Sequence, residues 1–147
     1  MKIYMETTKI SVEKTVSEIQ LLLVASGATG VMIESKGGQI EAVFFRVTFL
    51  DRDIPFRLPC RWEPIYKRLG SRLKKIRQGK EEEMKEQAKR VAWRQILRWV
   101  EAQLALVETD MVKVQEVFLP YVQSGIAGQT LYEQIENKQF SMIGYEK

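Results

Sequence analysis

Apolar residues along the chain change period in a way that divides it into elements. After Ser11, a plausible N-cap, Val12, Val16, Ile19, Leu22/Leu23 and Ala25 recur at helical spacing. Gly27 suits the position just past a helix end, so a helix is predicted over about 12–26. Period-two and β-branched stretches follow: Val31 to Glu34, a Lys36-Gly37-Gly38 turn, Ile40 to Leu50, and Ile54 to Leu58. Ile3 to Met5 reads as a further short strand ahead of the helix. Helical spacing returns at Pro64, with Tyr66, Leu69 and Leu73 inward over about 63–76, and Gly79 breaks it. A long helix is predicted over 81–108, with a core stripe of Ala88, Ala92, Trp93, Ile96, Leu97, Val100, Leu104 and Val107. A shorter helix near 112–123, interrupted at Pro120, and an amphipathic piece over 130–140 complete the pattern. The fold class is α+β: an N-terminal helix on a small antiparallel β-meander, then a long basic helix and a helical C-terminal extension. One domain is expected over 1–124, with a linker and C-terminal amphipathic segment over 125–147 that is a candidate for docking on a neighbouring subunit.

Alternation sets the expected hairpin register. With Leu50 facing Asp53, Phe49 faces Ile54, Val47 faces Phe56 and Phe45 faces Leu58, all on a core face. Arg46 then faces Arg57 on the other side, with Phe44 beside them. Two like charges directly opposite destabilise a sheet by a few tenths to ~1 kcal/mol, a cost that a bound anion reverses. Two arginines simply pointing into water is the plainer reading. Pro55 cannot donate a ladder hydrogen bond and marks an edge strand.

Composition narrows the chemistry. The 147 residues are 45% hydrophobic and 29% charged, the composition of one folded domain. There is no histidine and one cysteine, Cys60, which removes His-dependent triads, His or Cys zinc sites and an internal disulfide. The glycines form no phosphate-cradling motif. Binding is therefore expected rather than catalysis, with no cofactor and no metal. A carboxylate-dependent nuclease built on Glu41, Asp51 and Asp53 is the weakest rival. No run reaches the ~18 apolar residues of a membrane span. The opening MKIYMETTK lacks the pattern of a secretory signal, so a cytoplasmic protein with no membrane partner is expected.

The net charge of +4 is unevenly spread. Residues 1–60 balance seven Lys/Arg against seven Asp/Glu, residues 61–98 carry thirteen against five, and residues 99–147 three against seven. Lys67, Arg68, Arg72, Lys74, Lys75, Arg77 and Lys80 occur with no intervening acid, a cluster that attracts polyanions. A solvated helix face is the ordinary explanation of such a run, and Glu81, Glu82 and Glu83 follow it at once. On the long helix, Arg90, Arg94 and Arg98 at i, i+4, i+8 are read as one row about 12 Å long. Repulsion along it would be reversed by a phosphate backbone. Trp93 and Trp99 are read as core or subunit-contact residues rather than base-stacking platforms.

In this order of elements, the stretch SEIQLLLVASGATGVMIESKGGQIEAVFFRVTFLDRDIPFRLP followed by EEEMKEQAKRVAWRQILRWVEAQL resembles the minimal core of phage single-strand annealing proteins. These are the recombinases of the RecT, Redβ, Erf and Sak kind. The likeness spans about residues 12–107, and the chain is similar overall to small proteins encoded in phage recombination regions. It implies single-stranded DNA binding and ATP-independent strand annealing in a bacterial host's cytoplasm, by a homo-oligomer forming a ring or filament. Under that resemblance Arg46 and Arg57 match basic hairpin positions, and Lys89, Arg90, Arg94 and Arg98 match the helix flanking the DNA groove. Lys74, Lys75 and Arg77 are candidate loop lysines and arginine, and Phe44 a candidate base-stacking residue. The alternative is a small phage adaptor or inhibitor that binds a host protein through its basic surface.

Overall fold

In the computed structural model, which describes residues 2–72, 79–125, 128–141 and 143–144, the chain is α+β. Helix α1 (Val12–Ala25) starts where the Ser11 hydroxyl accepts from the Lys14 N–H at 3.2 Å, and stops before Gly27 at φ +101°. Its inward stripe is Thr15, Val16, Ile19 and Leu23. Strands β1 (Gly30–Lys36), β2 (Gln39–Phe49) and β3 (Arg52–Pro59) form an antiparallel sheet in that order. Helix α2 (Glu63–Arg72) and the 28-residue α3 (Glu81–Glu108) follow. A four-residue α4 (Val114–Val117), a 3-10 turn at Leu119–Tyr121 and α5 (Leu131–Asn137) complete the fold.

The sheet register differs from the expected one by two residues. Leu50 and Asp51, at φ +49° and +63°, make the reversal, so the loop falls one residue earlier. Phe45 therefore faces Phe56, Val47 faces Ile54 and Val43 faces Leu58. Because side chains alternate with period two, a shift of two exchanges partners without exchanging faces. That leaves the core membership intact while removing the Arg46–Arg57 pair: Arg46 faces Pro55, and Arg57 faces Phe44. Stacking of Phe45 on Phe56, 4.8 Å between centroids, accompanies the observed register and offsets a left-handed leucine that costs roughly 1–2 kcal/mol.

No strand forms at Ile3 to Met5. The chain turns there, and side chains of α3 take its carbonyls instead: Gln87 donates to Glu6 and Thr8, and Gln95 to Tyr4, each at 2.9 Å. β3 is an edge strand, as Pro55 requires. Among the described residues, its outer side meets an isolated bridge from Val122 to Phe56 and the Gln123 N–H on the Pro55 carbonyl.

One face of the sheet carries the core. Val43, Phe45, Phe56 and Leu58 join Val16, Ile19 and Leu23 of α1, Trp93, Leu97, Val100 and Leu104 of α3, and Phe118. Trp99 packs edge-on against Phe118 and Tyr121, so both tryptophans of α3 are packing residues. The amphipathic piece over 130–140 is anchored to its own chain at its start, while Tyr132 and Phe140 stay exposed. Thr130 is buried, and the Leu131 N–H donates to the Val122 carbonyl at 2.7 Å.

Candidate nucleic-acid interface

The second sheet face bears Met32, Phe44, Arg46, Pro55 and Arg57 by alternation from the core strands. Arg57 is not free on it. Its guanidinium crosses β2 to Glu34 on β1, with Nη2 at 2.8 Å and Nε at 3.3 Å from Oε2, and lies 5.8 Å from the Phe44 ring centroid. With its side chain only 15% exposed, Arg57 is a clamp across three strands. Arg46 is open: its side chain is 55% exposed, and its nearest carboxylate oxygen, on Asp53, is 3.9 Å away. It lies across Gly30, where an added Cβ would come within 3.0 Å of Nε, so the absence of a side chain makes room for the guanidinium. A groove of about 380 Å³ is bounded by Gly30, Met32, Phe44, Arg46 and Pro55. Phe44 and Arg46 are therefore brought together as expected, around an apolar floor.

The arginine row on α3 is corrected. Arg94 is buried, 4% exposed, with Nη1 donating to Glu18 at 3.0 Å and to Thr15 at 3.5 Å. The reason is that four consecutive residues, Val91 to Arg94, are buried, a full turn enclosed on all sides. An i, i+4 row also rotates about 40° per step on a 3.6-residue helix, so it does not keep to one face. Arg98 donates to both oxygens of Glu101 at 3.0 and 3.1 Å, and Arg90 Nε to Gln87 at 3.0 Å. Lys89 reaches Glu86 and Gln39 and sits 5.0 Å from the Trp62 ring centroid.

Nor do the hairpin arginines and the helix that the resemblance sets beside a DNA groove share one face among the described residues. Helix α3 packs on the core face, while Arg46 and Arg57 belong to the opposite face. Lys74, Lys75 and Arg77 lie outside the described residues.

Beyond Arg46, outward positive charge stands on α2. Pro64 opens this helix, Leu69 is buried, and Ile65 and Tyr66 are half-buried. Spacing leaves Lys67 and Arg68 exposed, and neither forms an ion pair among the described residues. Lys80, just before α3, is exposed as well. The signal was in the acid-free run of the sequence; helical periodicity pointed instead to the arginines of α3.

Other chemistry is sparse. No group of three or more His, Cys, Asp or Glu among the described residues is placed to hold a metal ion. Asp53, one member of the carboxylate trio weighed for a nuclease, accepts from Thr48 at 2.6 Å. Burial, and secondarily Glu63, pushes the Cys60 thiol up to about 12 against the opposing pull of Lys89. In the folded protein, alkylation of Cys60 by iodoacetamide at pH 8 is expected to be at least a hundredfold slower than in urea-unfolded chain, since the thiolate is the nucleophile. Equal rates measured by mass spectrometry would contradict the raised pKa of this half-buried thiol. No described helix is long and apolar enough to cross a membrane.

No family model, no curated protein and no solved structure matches the chain.

Proposed function

We propose that the protein binds single-stranded DNA without sequence preference and promotes annealing of complementary strands without ATP, as a phage-type recombination protein acting as a homo-oligomer. The observation that carries this reading is that Lys67 and Arg68 of α2 are exposed and form no ion pair among the described residues, within the block in which thirteen basic residues face five acids. These cations hold phosphates by charge and release counterions from the strand. On the open sheet face, Arg46 provides a further phosphate contact and Phe44 a stacking surface for one base. Base pairing itself drives annealing, so neither a nucleotide nor a metal takes part.

Fluorescence anisotropy with a labelled oligonucleotide tests the reading. Affinity should fall steeply with salt. The Lys67→Glu/Arg68→Glu variant should bind at least tenfold more weakly, and removal of two phosphate contacts should flatten the log–log salt slope by about 1.4. Arg46→Glu is the variant for the sheet face, because reversing Arg57 would break its clamp on Glu34. Affinity indifferent to salt and to the α2 variant would overturn the proposal. An adaptor or inhibitor that binds a host protein is the second reading, favoured by the internal neutralisation of Arg57, Arg94 and Arg98. It requires no oligonucleotide binding at any salt concentration.

A further inference from the structure

Helices α1 and α3 run parallel. Thr15 and Glu18 meet Arg94, and one helix turn or more further along both helices Leu22 to Gly27 face Glu101 to Glu108. Their C-termini consequently end on the same side of the molecule. Between them lies a groove of about 680 Å³, floored by Leu22, Ala25, Leu104, Ala105 and Val107. Leu21, 69% exposed, continues the apolar stripe at i, i+4 with Ala25.

The electrostatics of this groove have one sign. Among the described residues, Glu101 and Glu108 are the charged residues lining it, and no cation does so. Arg98 engages Glu101, whereas Glu108 and the following Asp110 form no ion pair among the described residues. Neither helix has a basic residue in its last turn. Each helix end carries the equivalent of roughly half a negative charge, and lysine or arginine is the usual complement. Here two such ends stand together without one.

From this geometry we infer a docking site for a partner's cationic amphipathic helix, seated with its apolar stripe on Leu22, Ala25, Leu104, Ala105 and Val107 and its lysines or arginines against Glu108 and the two helix ends. The interaction is the helix-in-groove mode, read through apolar anchors at i, i+3/i+4 and i+7. The Glu101–Glu108 span is about 10 Å, so two turns of the partner fill it. A polyphosphate is repelled from this rim. A second copy of the chain is a poor occupant, because a two-fold contact would set acid on acid, and the apolar side of its own basic helix, through Leu69, is already buried. The site is thus distinct from the basic surface of α2.

The probe is a 14-residue amphipathic peptide of leucine and lysine, with its leucine–glutamate counterpart as control. NMR titration of the full-length protein should give saturable shifts at the amides of Leu22–Gly27 and Glu101–Glu108 with the lysine peptide alone. Glu108→Lys should weaken that binding at least tenfold while leaving oligonucleotide affinity unchanged, so this inference and the DNA-binding reading fail separately. Shifts confined to the sheet face, equal binding of the glutamate peptide, or an indifferent Glu108→Lys variant would overturn the proposal. So would sedimentation showing self-association that Glu108→Lys abolishes, which would make the occupant a second copy.

Discussion

Phe118→Ala is expected to lower the free energy of unfolding by about 4 kcal/mol, the scale of loss that follows truncation of a fully enclosed aromatic ring. Phe118 comes from the short segment after α4, yet it is fully buried beneath the sheet. Its ring lies 5.2 Å from Phe45, 6.2 Å from Phe56 and 5.4 Å from Trp99, edge-on to each. Removing it deletes contacts with β2, β3 and α3 together and leaves a void that these rigid rings fill poorly. For a chain of this size the midpoint of thermal unfolding should drop by roughly 8–16 °C. Phe118→Leu, which restores much of the volume, should recover about half. Calorimetry giving a loss below about 1 kcal/mol would mean that the segment carrying Phe118 does not pack on the sheet.

Glu18→Ala should cost about 2–3 kcal/mol, through its effect on Arg94 rather than on itself. The Arg94 guanidinium is enclosed, its Nε already lacks a partner, and Glu18 is its carboxylate. Breaking a buried pair by deleting one member commonly costs 3–5 kcal/mol; the smaller figure applies here because the Glu18 side chain is 38% exposed and water replaces part of the interaction. The signature is non-additivity. Arg94→Met, which keeps much of the stem's packing and removes the charge, should lie within about 1 kcal/mol of the parent, and the double variant should recover most of the Glu18→Ala loss. Urea titrations of the four proteins complete the cycle, and strictly additive losses would contradict the coupling. In the same series, an oligonucleotide affinity of Arg94→Met equal to the parent's would assign Arg94 a structural part, whereas a loss beyond that of folding would point to contact with the oligonucleotide.

Apart from the strand read at Ile3 to Met5, the principal elements were legible because their signals are local. Ser11 and Gly27 bound α1, and the 28-residue span of α3 lies between the Gly79 break and Glu108. The inward faces of β2 and β3 were legible too, since alternation survives a register error of two. What escaped was pairing. Leu50-Asp51 is not a turn-forming dipeptide, so nothing local announced the loop that puts Arg46 opposite Pro55. Nor does any pattern along α3 reveal that α1 brings Glu18 to Arg94, because that contact joins residues separated by 76 positions.

The amino-acid order by itself determined the α+β class, the limits of the principal helices, the inward residues of the hairpin, and the concentration of positive charge after residue 60. Those follow from periodicity, capping and composition, which act over a few residues. Only the tertiary structure decided which cations stay outward: Lys67, Arg68 and Arg46 remain exposed, while Arg57, Arg94 and Arg98 meet Glu34, Glu18 and Glu101. Burying a guanidinium without a counter-charge is prohibitively costly, so the packing that encloses an arginine must also bring a carboxylate to it, and Glu34 and Glu18 reach theirs from distant parts of the chain.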